Sequence, residues 1–436
     1  MSNSVVAAIA PSELAGAVVD PRAYADPPRL HAAFTELRAR WPVSLAQVDG
    51  FDPFWLVTRH ADILEVSRQN DVFHNGDLGV ILSSQDELRF VKAMTGGSPN
   101  LVRTLVNMDA PDHLKHRALT QGWFMPQNVR RLEDRIRQIA RASVERMLAT
   151  GGRCDFVADV ALGYPLHVIM EILGLPEEDE PRMLKLTQEF FGSKDPDLNR
   201  DAAEAVDPEL LVSQVKAVFD DFFAYFREVS DDRRARPRDD LASAIANGLV
   251  DGQPISDFDA MSYYFLVASA GHDTTSSSIA GAIWALAENP DQFDAVRRDP
   301  SLIPGLVDEA IRWTTPVKHF MRSATRDYEL RGQTIREGDW LMLCYLSGNR
   351  DEEVFEDPFA FRVNRSPNRH LAFGYGAHLC LGQHLAKMEM RILFEELLPR
   401  MERLELDGEG KLSAANFVSG PKRLPIRFET ARELAS

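Results

Sequence analysis

The sequence predicts a mainly α protein with a small β part, and three observations support this fold class. Stretches with helical spacing dominate after about residue 20. One of them, from Ser256 to Asn289, is long enough to cross a whole domain. Strand-like stretches are short and cluster late, at Tyr328–Leu330 and Trp340–Tyr345. No repeat or low-complexity linker divides the 436 residues. We therefore expect a single domain over residues 1–436, in which residues 1–20 form a loose N-terminal tail.

The first third of the chain contains the other predicted elements. Its patterns predict a helix at 34–40, a strand at 54–58, and further helices at 61–68 and about 127–150. Between the last two, residues 74–105 show no clear periodicity and include several glycines. An irregular stretch of this length in a compact domain usually has a function.

Charge and cysteine usage exclude several classes of protein. The formal net charge of −17 argues against nucleic acid as a partner, because phosphates require a basic surface. The dense run of charge at 231–240 predicts a solvated loop. Three cysteines without a C-x-x-C pair are typical of a reduced cytosolic protein. Neither a membrane span nor a signal peptide is predicted, so we expect a cytoplasmic protein.

The centre of the long predicted helix breaks the usual rules for a helix interior. Ser256 supplies an N-cap and Asn289-Pro290 a stop. Between apolar flanks, residues 273–278 are all Asp, Thr or Ser, which compete with backbone hydrogen bonds and are costly to bury unpaired. Such exceptions often mark functional sites, although satisfied hydroxyls in a widened helix explain the run equally well. Chelation of a metal by His272 and Asp273 is disfavoured, because adjacent helical side chains point about 100° apart.

A glycine-rich loop containing one cysteine precedes the last predicted helix. It reads Phe373-Gly-Tyr-Gly-Ala-His-Leu-Cys-Leu-Gly382, and the helix follows from Gln383 to about Leu398. The glycines predict a close approach to another group, and the helix N-terminus favours a thiolate at Cys380. Such a thiolate can be a nucleophile with His378 as its base, or a ligand of iron against a flat ring. The loop alone leaves both interpretations open.

Three motifs together make the sequence resemble the cytochrome P450 family. Residues 373–382 match its Phe-x-x-Gly-x-x-x-Cys-x-Gly haem-binding signature, residues 270–275 match its central-helix pattern, and residues 309–312 match its Glu-x-x-Arg element. The resemblance extends from about residue 21 to 429 and is greatest to the soluble bacterial type, within it to the α-terpineol hydroxylase subgroup. It implies a cytochrome P450 fold with haem b between the long central helix and the Cys-bearing loop. Residues 74–105 and 190–235, which cover the substrate in this family, match less well.

The resemblance implies a role for each residue that matches a family position. Cys380 is expected to be the axial ligand of the haem iron, to accept hydrogen bonds from the backbone N–H groups that follow it, and to be shielded by Phe373. The residues expected to bind the haem propionates are His113, Arg117, Arg322 and His378. The residues expected to form a buried structural cluster are Glu309, Arg312 and Arg365.

The implied activity is that of a haem-thiolate monooxygenase, which hydroxylates a small apolar substrate with dioxygen and two electrons. Asp273 and Thr274 match the family's acid–alcohol pair, which delivers protons during oxygen activation. The substrate is expected to be a monoterpenoid or an alkyl- or aryl-substituted hydrocarbon. The residues expected to line its pocket are Leu266, Ala270, Val317, Phe320 and Val418, with Ile81, Leu82 and Leu101 as further candidates.

The electrons are expected to come from other chains, because the sequence has no flavin or nicotinamide motif. Similar bacterial enzymes use an acidic iron–sulfur ferredoxin and a flavin-dependent ferredoxin reductase, and Lys115, Lys387 and Arg391 are predicted to form a local positive patch for it. Two other functions stay open. A peroxygenase would not need the Asp273–Thr274 pair, and a haem-binding sensor would not need an apolar pocket.

Overall fold

The computed structural model describes residues 7–191 and 208–431 and confirms a mainly helical fold with small sheets. In chain order, its helices are α1 (Ser12–Val19), α2 (Pro27–Arg40), α3 (His60–Arg68), α4 (Gln85–Thr95), α5 (Asp112–Gln121), α6 (Pro126–Val129), α7 (Glu133–Leu148), α8 (Gly163–Leu173), α9 (Glu180–Phe191), α10 (Pro208–Ala235), α11 (Leu241–Ala246), α12 (Asp257–Glu288), α13 (Pro290–Arg298), α14 (Ile303–Thr314), α15 (Tyr345–Gly348) and α16 (Gln383–Leu397). No helix in these described parts is long and apolar enough to cross a membrane.

The strands are short, as the sequence predicts, and most of them lie in two sheets. In chain order they are β1 (Val43–Ala46), β2 (Phe54–Val57), β3 (Phe73–His74), β4 (Arg153–Asp155), β5 (Leu249–Val250), β6 (Gln253–Pro254), β7 (His319–Ala324), β8 (Tyr328–Leu330), β9 (Gln333–Ile335), β10 (Trp340–Cys344), β11 (Met401–Leu406), β12 (Lys411–Leu412), β13 (Pro421–Arg423) and β14 (Pro425–Thr430). The five-stranded sheet has the order β1-β2-β10-β7-β3, and a three-stranded sheet has the order β11-β14-β4. In the larger sheet, β10 pairs in parallel with β2 and antiparallel with β7, which places β7 beside the functional site.

The predicted central helix is α12, and its capping agrees with the sequence. The Ser256 side chain accepts a hydrogen bond from the backbone N–H of Asp259, and the helix ends at Asn289. Two glycines let neighbouring helices approach it closely. A Cβ at Gly271 would collide with Ile169 of α8, and one at Gly281 would collide with Thr314 of α14. The helix is therefore held in the core with its polar run between these contacts.

The expectation of a loose tail is wrong for residues 12–19, while residues 1–6 lie outside the described residues. Ser12–Val19 forms α1, and Ala15 and Val18 are fully buried in an apolar cluster with Leu30 and Phe34 of α2. The apolar residues of this helix are mostly alanines and valines, which form no wide apolar stripe that sequence reasoning could detect. Small side chains nevertheless let a helix pack closely on its neighbour.

Residues 74–105 are more ordered than predicted, because they include α4. Ser84 and Glu87 form a capping box at its start, and Gly96 ends it in the left-handed conformation at φ 70°. Leu88 is the one buried residue of the helix. The largely exposed helix therefore shows no apolar periodicity for sequence reasoning to detect.

The charged run 231–240 is not a solvated loop throughout. Helix α10 continues to Ala235, and Arg233 near its end is buried. Its guanidinium donates to the Asp240 carboxylate at 2.7 Å and to the Gly174 carbonyl at 2.6 Å. The run therefore anchors α10 to the loop after α8, an outcome that charge density alone does not reveal.

Candidate active site

A cavity lies between α12 and the cysteine loop. From α12, Leu266, Ala270 and Thr274 contribute to its wall, and from the loop Phe373 and Cys380 do so. The distant motifs of the sequence are thus brought to one place by the crossing of α12 and by the loop that leads into α16.

The backbone of the loop is folded around the Cys380 sulfur. The Cys380 N–H donates to the Phe373 carbonyl at 2.9 Å, and the backbone N–H groups of Gly382 and Gln383 donate to the sulfur. Burial nevertheless raises the pKa of the thiol, against the opposing effects of these N–H groups and of Arg117. The N–H groups thus lower the pKa of the thiol, as the position at a helix N-terminus predicts, but burial outweighs their effect. A bound metal cation would favour the thiolate at this position.

Its surroundings make His378 a weak base. Burial, followed by the charge of Arg322 and by the neighbouring His113, lowers the pKa of His378 to about 2. Its ring instead lies against the ring of His113, with 4.2 Å between the centroids. The interpretation of Cys380 as a nucleophile with His378 as its base therefore has no support in the geometry.

Four basic side chains line the cavity without a counter-charge, and they are the predicted propionate ligands His113, Arg117, Arg322 and His378. Arg117 donates to the Leu379 carbonyl at 2.8 Å and Arg322 to the Met321 carbonyl at 2.7 Å. His113 Nε2 is buried and has no hydrogen-bond partner. No described carboxylate forms an ion pair with any of the four. This donor set fits a group with two carboxylates, as haem has.

The polar run of α12 supplies the side chains opposite the loop. Thr274 donates its hydroxyl hydrogen to the Ala270 carbonyl at 2.8 Å, so its oxygen faces the cavity as an acceptor. Oδ2 of Asp273 is buried and accepts no hydrogen bond, and it lies 3.6 Å from Nδ1 of His272. Ser278 bonds within the helix, to the Thr274 carbonyl at 2.9 Å, as expected. Thr275, by contrast, contacts the buried Glu389 of α16.

The predicted substrate-pocket residues fall into two groups. Leu266, Ala270, Val317 and Phe320 line the cavity, whereas Val418 does not line it and is paired with Val317 in an isolated β-bridge.

The further candidates Ile81, Leu82 and Leu101 do not line the cavity. The Val80 carbonyl accepts a hydrogen bond from Met321 N–H at 2.9 Å, which places this segment along β7. Leu82 is buried with Met321 and Trp340 in a separate apolar cluster, and Leu101 packs on the main core. An irregular segment gives no periodicity from which to predict the direction of each side chain.

The predicted structural cluster is formed as expected below the cavity. Arg312 donates two hydrogen bonds to the fully buried Glu309 carboxylate, at 2.8 and 2.7 Å, and Arg365 Nε lies 3.1 Å from both of its oxygens. Burial alone would raise the pKa of Glu309, but the hydrogen bonds and charges of the two arginines lower it overall. Both arginines also donate to backbone carbonyls between residues 349 and 360, which ties α14 to the segment before the cysteine loop.

Several cavity residues were not predicted from the sequence, and three of them carry polar groups that the site could use. Asn75 is buried with a free Oδ1, Tyr345 contacts Arg322, and the carboxyl of Glu389 is buried with one unpartnered oxygen. Burial raises the pKa of Glu389 well above its usual value, against the opposing effect of its hydrogen bond with Thr275. Only the unusual placement of Glu389 on the apolar face of α16 could have drawn attention to it.

The predicted positive patch is neutralised in the structure. Lys115 pairs with Asp251, Lys387 with Asp308 at 2.7 Å, and Arg391 with Glu133 and Glu395 at 2.8 and 2.7 Å. Paired cations add little to a local field. These three residues are therefore poor candidates for a docking surface, a result of tertiary contacts that the sequence does not show.

The chain belongs to the cytochrome P450 family, and it is a haem-dependent monooxygenase of that class. The family model described as "Cytochrome P450" matches residues 81–426.

Similar proteins come from several bacteria. The chain is 49% identical over 421 residues to "Cytochrome P450-terp" of a Pseudomonas species, covering 97% of this chain and 98% of that protein. It is 34% identical over 400 residues to "Linalool 8-monooxygenase" of Pseudomonas putida, covering 91% and 95%. The crystal structure of CYP108D1 from Novosphingobium aromaticivorans superposes with a TM-score of 0.89 at 48% identity, covering 97% of this chain and all of that one.

Proposed function

We propose that this monooxygenase hydroxylates a small, uncharged, apolar compound of monoterpenoid or alkyl- or aryl-substituted hydrocarbon type. The observation that carries the proposal is the composition of the wall next to Thr274, where Leu266, Ala270, Val317 and Phe320 line the cavity. Apart from Cys380, the acidic and basic side chains of the cavity are the four basic residues that fit the haem carboxylates and the buried Glu389, which contacts Thr275. Leu266, Ala270, Val317 and Phe320 carry no charge, so the wall that they form offers an ionic substrate no counter-charge.

Two similar proteins support this size and chemistry. The name of one contains "terp", and the other is named for linalool. The sequence also resembles the α-terpineol hydroxylase subgroup in its motifs. These relatives favour a monoterpenoid, while the apolar wall accommodates aromatic hydrocarbons of similar size.

The cysteine loop and the basic cluster hold the cofactor in this proposal. Cys380 would bind the haem iron through its sulfur, which accepts hydrogen bonds from Gly382 and Gln383 and which Phe373 would shield. His113, Arg117, Arg322 and His378 would bind the two propionates, because such donors suit carboxylates and no described carboxylate forms an ion pair with them. When bound, the haem supplies the iron chemistry that activates dioxygen.

Thr274 and Asp273 bind and transfer protons in this proposal, on the side of the cavity opposite the cysteine loop. Since the hydroxyl hydrogen of Thr274 is committed to Ala270, its oxygen accepts a hydrogen bond from a ligand in the cavity. Asp273 is the residue before Thr274 in α12. Its side chain is 16% exposed, so its carboxylate can exchange protons with solvent. Together they hold and deliver the protons that dioxygen activation consumes.

A ligand titration of the ferric holoenzyme tests the substrate class. The panel contains monoterpenoids, alkylbenzenes, biphenyl-like molecules, fatty acids and a steroid, and the Soret band reports displacement of water from the iron. A high-spin shift with the small uncharged compounds supports the proposal. A response confined to fatty acids or steroids, or no response to any organic compound, contradicts it, and the last result would favour a haem-binding sensor.

The source of the oxygen is tested by comparing two assays with the compound that shifts the spectrum. Product formed with dioxygen and a reducing system supports the monooxygenase. Product formed only with added hydrogen peroxide would favour the peroxygenase, for which the Asp273–Thr274 pair has no role.

We also propose that an acidic iron–sulfur ferredoxin, reduced by a flavin-dependent reductase, donates the electrons beside the cysteine loop. Arg68 lies beside Gly376 of this loop, and α6, which precedes Arg130 and Arg131, packs against α16, the helix that follows the loop. These arginines and Arg369 are exposed and form no ion pair with any described residue, and the same segments carry exposed apolar side chains. The basic residues are Arg68, Arg130, Arg131 and Arg369, and the apolar ones are Leu114, Met125 and Tyr375. Arg68 also lies over the Tyr375 ring, 5.1 Å from its centroid. A basic rim around apolar residues suits an acidic partner.

The double variant Arg130→Glu/Arg131→Glu tests this surface against Arg227→Glu, an exposed and unpaired control on α10. The rate of reduction by a bacterial ferredoxin is measured at several salt concentrations. The double variant should slow the reduction and weaken its salt dependence, because charge steers the encounter. Equal rates for the double variant and the control would contradict the proposed surface.

A further inference from the structure

His272 is a fully buried histidine next to the proposed proton-delivering acid. It lies in α12, and its ring contacts two other segments of the core. Nε2 is 2.8 Å from the Leu162 carbonyl, and Nδ1 is 3.4 Å from the Thr187 hydroxyl of α9. Nδ1 is also 3.6 Å from Oδ2 of Asp273.

The Leu162 carbonyl shows that Nε2 of the His272 ring carries a proton. A carbonyl oxygen can only accept a hydrogen bond, so Nε2 must be the donor to Leu162. In a neutral imidazole the second nitrogen, Nδ1, would then carry a bare lone pair.

Both neighbours of Nδ1 present acceptors as well. The Thr187 hydroxyl donates to the Leu184 carbonyl at 3.1 Å, a shorter contact than its 3.4 Å to Nδ1, so its oxygen lone pairs face the ring. Oδ2 of Asp273 is buried and has no other hydrogen-bond partner. A bare Nδ1 would therefore face two oxygen acceptors in the core, which is unfavourable in a low-dielectric environment.

We propose that His272 is a positioning residue for Asp273, and that its Nδ1 holds a proton between the ring and Oδ2 of that carboxylate. One added proton turns every contact of the ring into a donor–acceptor pair. It also gives the free carboxylate oxygen its missing partner and keeps Asp273 in a fixed orientation. In this respect the inference deepens, and rests on, the proposed role of Asp273 in proton delivery.

The step balances without a further reactant. The proton on Nδ1 of His272 first moves to the Asp273 carboxylate, and Asp273 then passes it toward the cavity, which leaves a neutral imidazole beside an ionised carboxylate. Solvent at the exposed part of Asp273 then returns one proton to the pair.

Among the described residues, no other group next to the ring would provide this proton. The segment before α8 offers His272 a backbone carbonyl, α9 offers it a hydroxyl, and α12 itself offers it the Asp273 carboxylate. No described lysine, arginine or second carboxylate forms an ion pair with the ring. Glu389 of α16 contacts Thr275 instead.

The protonation state can be observed directly in the holoenzyme. Nitrogen-15 NMR of histidine-labelled protein, in its diamagnetic ferrous carbon-monoxide form at neutral pH, distinguishes a protonated from a bare Nδ1. The His272→Gln variant assigns the signal by its loss. We expect both nitrogens of His272 to be protonated, and we expect Nδ1 to lose its proton in Asp273→Asn. A bare Nδ1 in the parent protein, or a doubly protonated ring that persists in Asp273→Asn, would overturn the proposal.

Turnover provides the second test. His272→Gln keeps one amide donor but cannot hold the extra proton, so the share of electrons recovered in product should fall by a factor on the order of ten, with an unchanged spin shift on substrate binding. Thr187→Val is the matched control, because it removes a neighbour of the same ring nitrogen and leaves the His272–Asp273 pair. Coupling in His272→Gln equal to that of the control would count against the inference.

Asp273→Asn separates this inference from the function on which it rests. If Asp273→Asn leaves coupling intact, the proposed role of Asp273 itself fails. If Asp273→Asn uncouples turnover while His272→Gln does not, only the role of His272 fails.

Discussion

The imidazole rings of His113 and His378 lie against each other, 4.2 Å between centroids, although both belong to basic residues of one cavity. Burial and the nearby Arg322 lower the pKa of His378 to about 2, and burial together with Arg117 lowers the pKa of His113. The contact is therefore stable in the haem-free chain only while both rings are neutral. Two carboxylates delivered by haem would remove this restriction.

The stability of the haem-free protein should depend on pH because of this pair of histidines. The folded-state pKa of His378, about 2, is below its ordinary value of 6.5, so its contribution to stability is complete above about pH 6.5 and is lost progressively as the pH falls toward 2. We expect the urea midpoint to drop between pH 7.5 and pH 5. His378→Gln should flatten that drop, because an amide does not titrate. An identical slope in the variant would show that other groups cause it.

The buried carboxylate of Glu309 should be essential for stability. In Glu309→Ala, Arg312 and Arg365 lose the one carboxylate they share in the core, and an uncompensated buried charge costs about 3–5 kcal/mol. Thermal unfolding monitored by circular dichroism, with haem content from absorbance, measures both losses.

Arg326→Ala is the control for Glu309→Ala, since it breaks an exposed ion pair with Asp71 at 3.3 Å. Such pairs contribute about 0–1 kcal/mol, so its melting temperature should hardly change. Similar losses in the two variants would contradict the assignment of Glu309 as a structural residue.

The sequence predicted best what is encoded locally. The cysteine loop, the limits of α12 and the Glu309–Arg312 pair at i and i+3 are contiguous patterns, and the structure forms each of them. Predictions failed where a side chain's surroundings come from distant segments. Nothing near Lys387 in the sequence indicates Asp308 as its partner, and nothing near Leu82 indicates that it is buried with Trp340, away from the cavity.

The difference between local patterns and contacts with distant segments also explains why the contacts around the polar run of α12 were not predicted. The sequence marks residues 273–278 as unusual, but it does not say which of them are satisfied within the helix. The structure pairs Ser278 with the Thr274 carbonyl, and it turns His272 toward Leu162 and Thr187. The contacts of His272 require α8 and α9 to be in place, so they depend on the packing of three helices.

Removal of the Thr274 hydroxyl should uncouple the reaction. Its oxygen faces the cavity as an acceptor, since its hydrogen is donated to Ala270 at 2.8 Å. In Thr274→Ala, we expect electron consumption to continue while hydrogen peroxide replaces product by a factor of about 10² or more, the usual contribution of a positioned acid–base group. The ratio of product to reducing equivalents and a peroxide assay give the result.

Thr274→Ser keeps a hydroxyl in the same helix position and should retain most of the coupling. If the serine variant were as uncoupled as the alanine variant, the lost methyl group rather than the hydroxyl would be responsible, and the proton-delivery role of Thr274 would be wrong.

The size of the substrate should depend on Phe320 rather than on Val418. Phe320 lines the cavity from β7, where its ring contacts the rings of Tyr345 and Phe417 at 6.2 and 5.4 Å, whereas Val418 is paired with Val317 and does not line the cavity. Phe320→Ala removes a whole ring from the wall, so larger compounds such as biphenyl should gain a spin shift while monoterpenoids bind more weakly. Val418→Ala should cost stability, about 1–2 kcal/mol for two buried methyl groups, and leave the order of preference unchanged. Soret titrations of both variants with the same panel test this prediction. A changed preference in Val418→Ala alone would mean that Val418, and not Phe320, limits the size of the substrate.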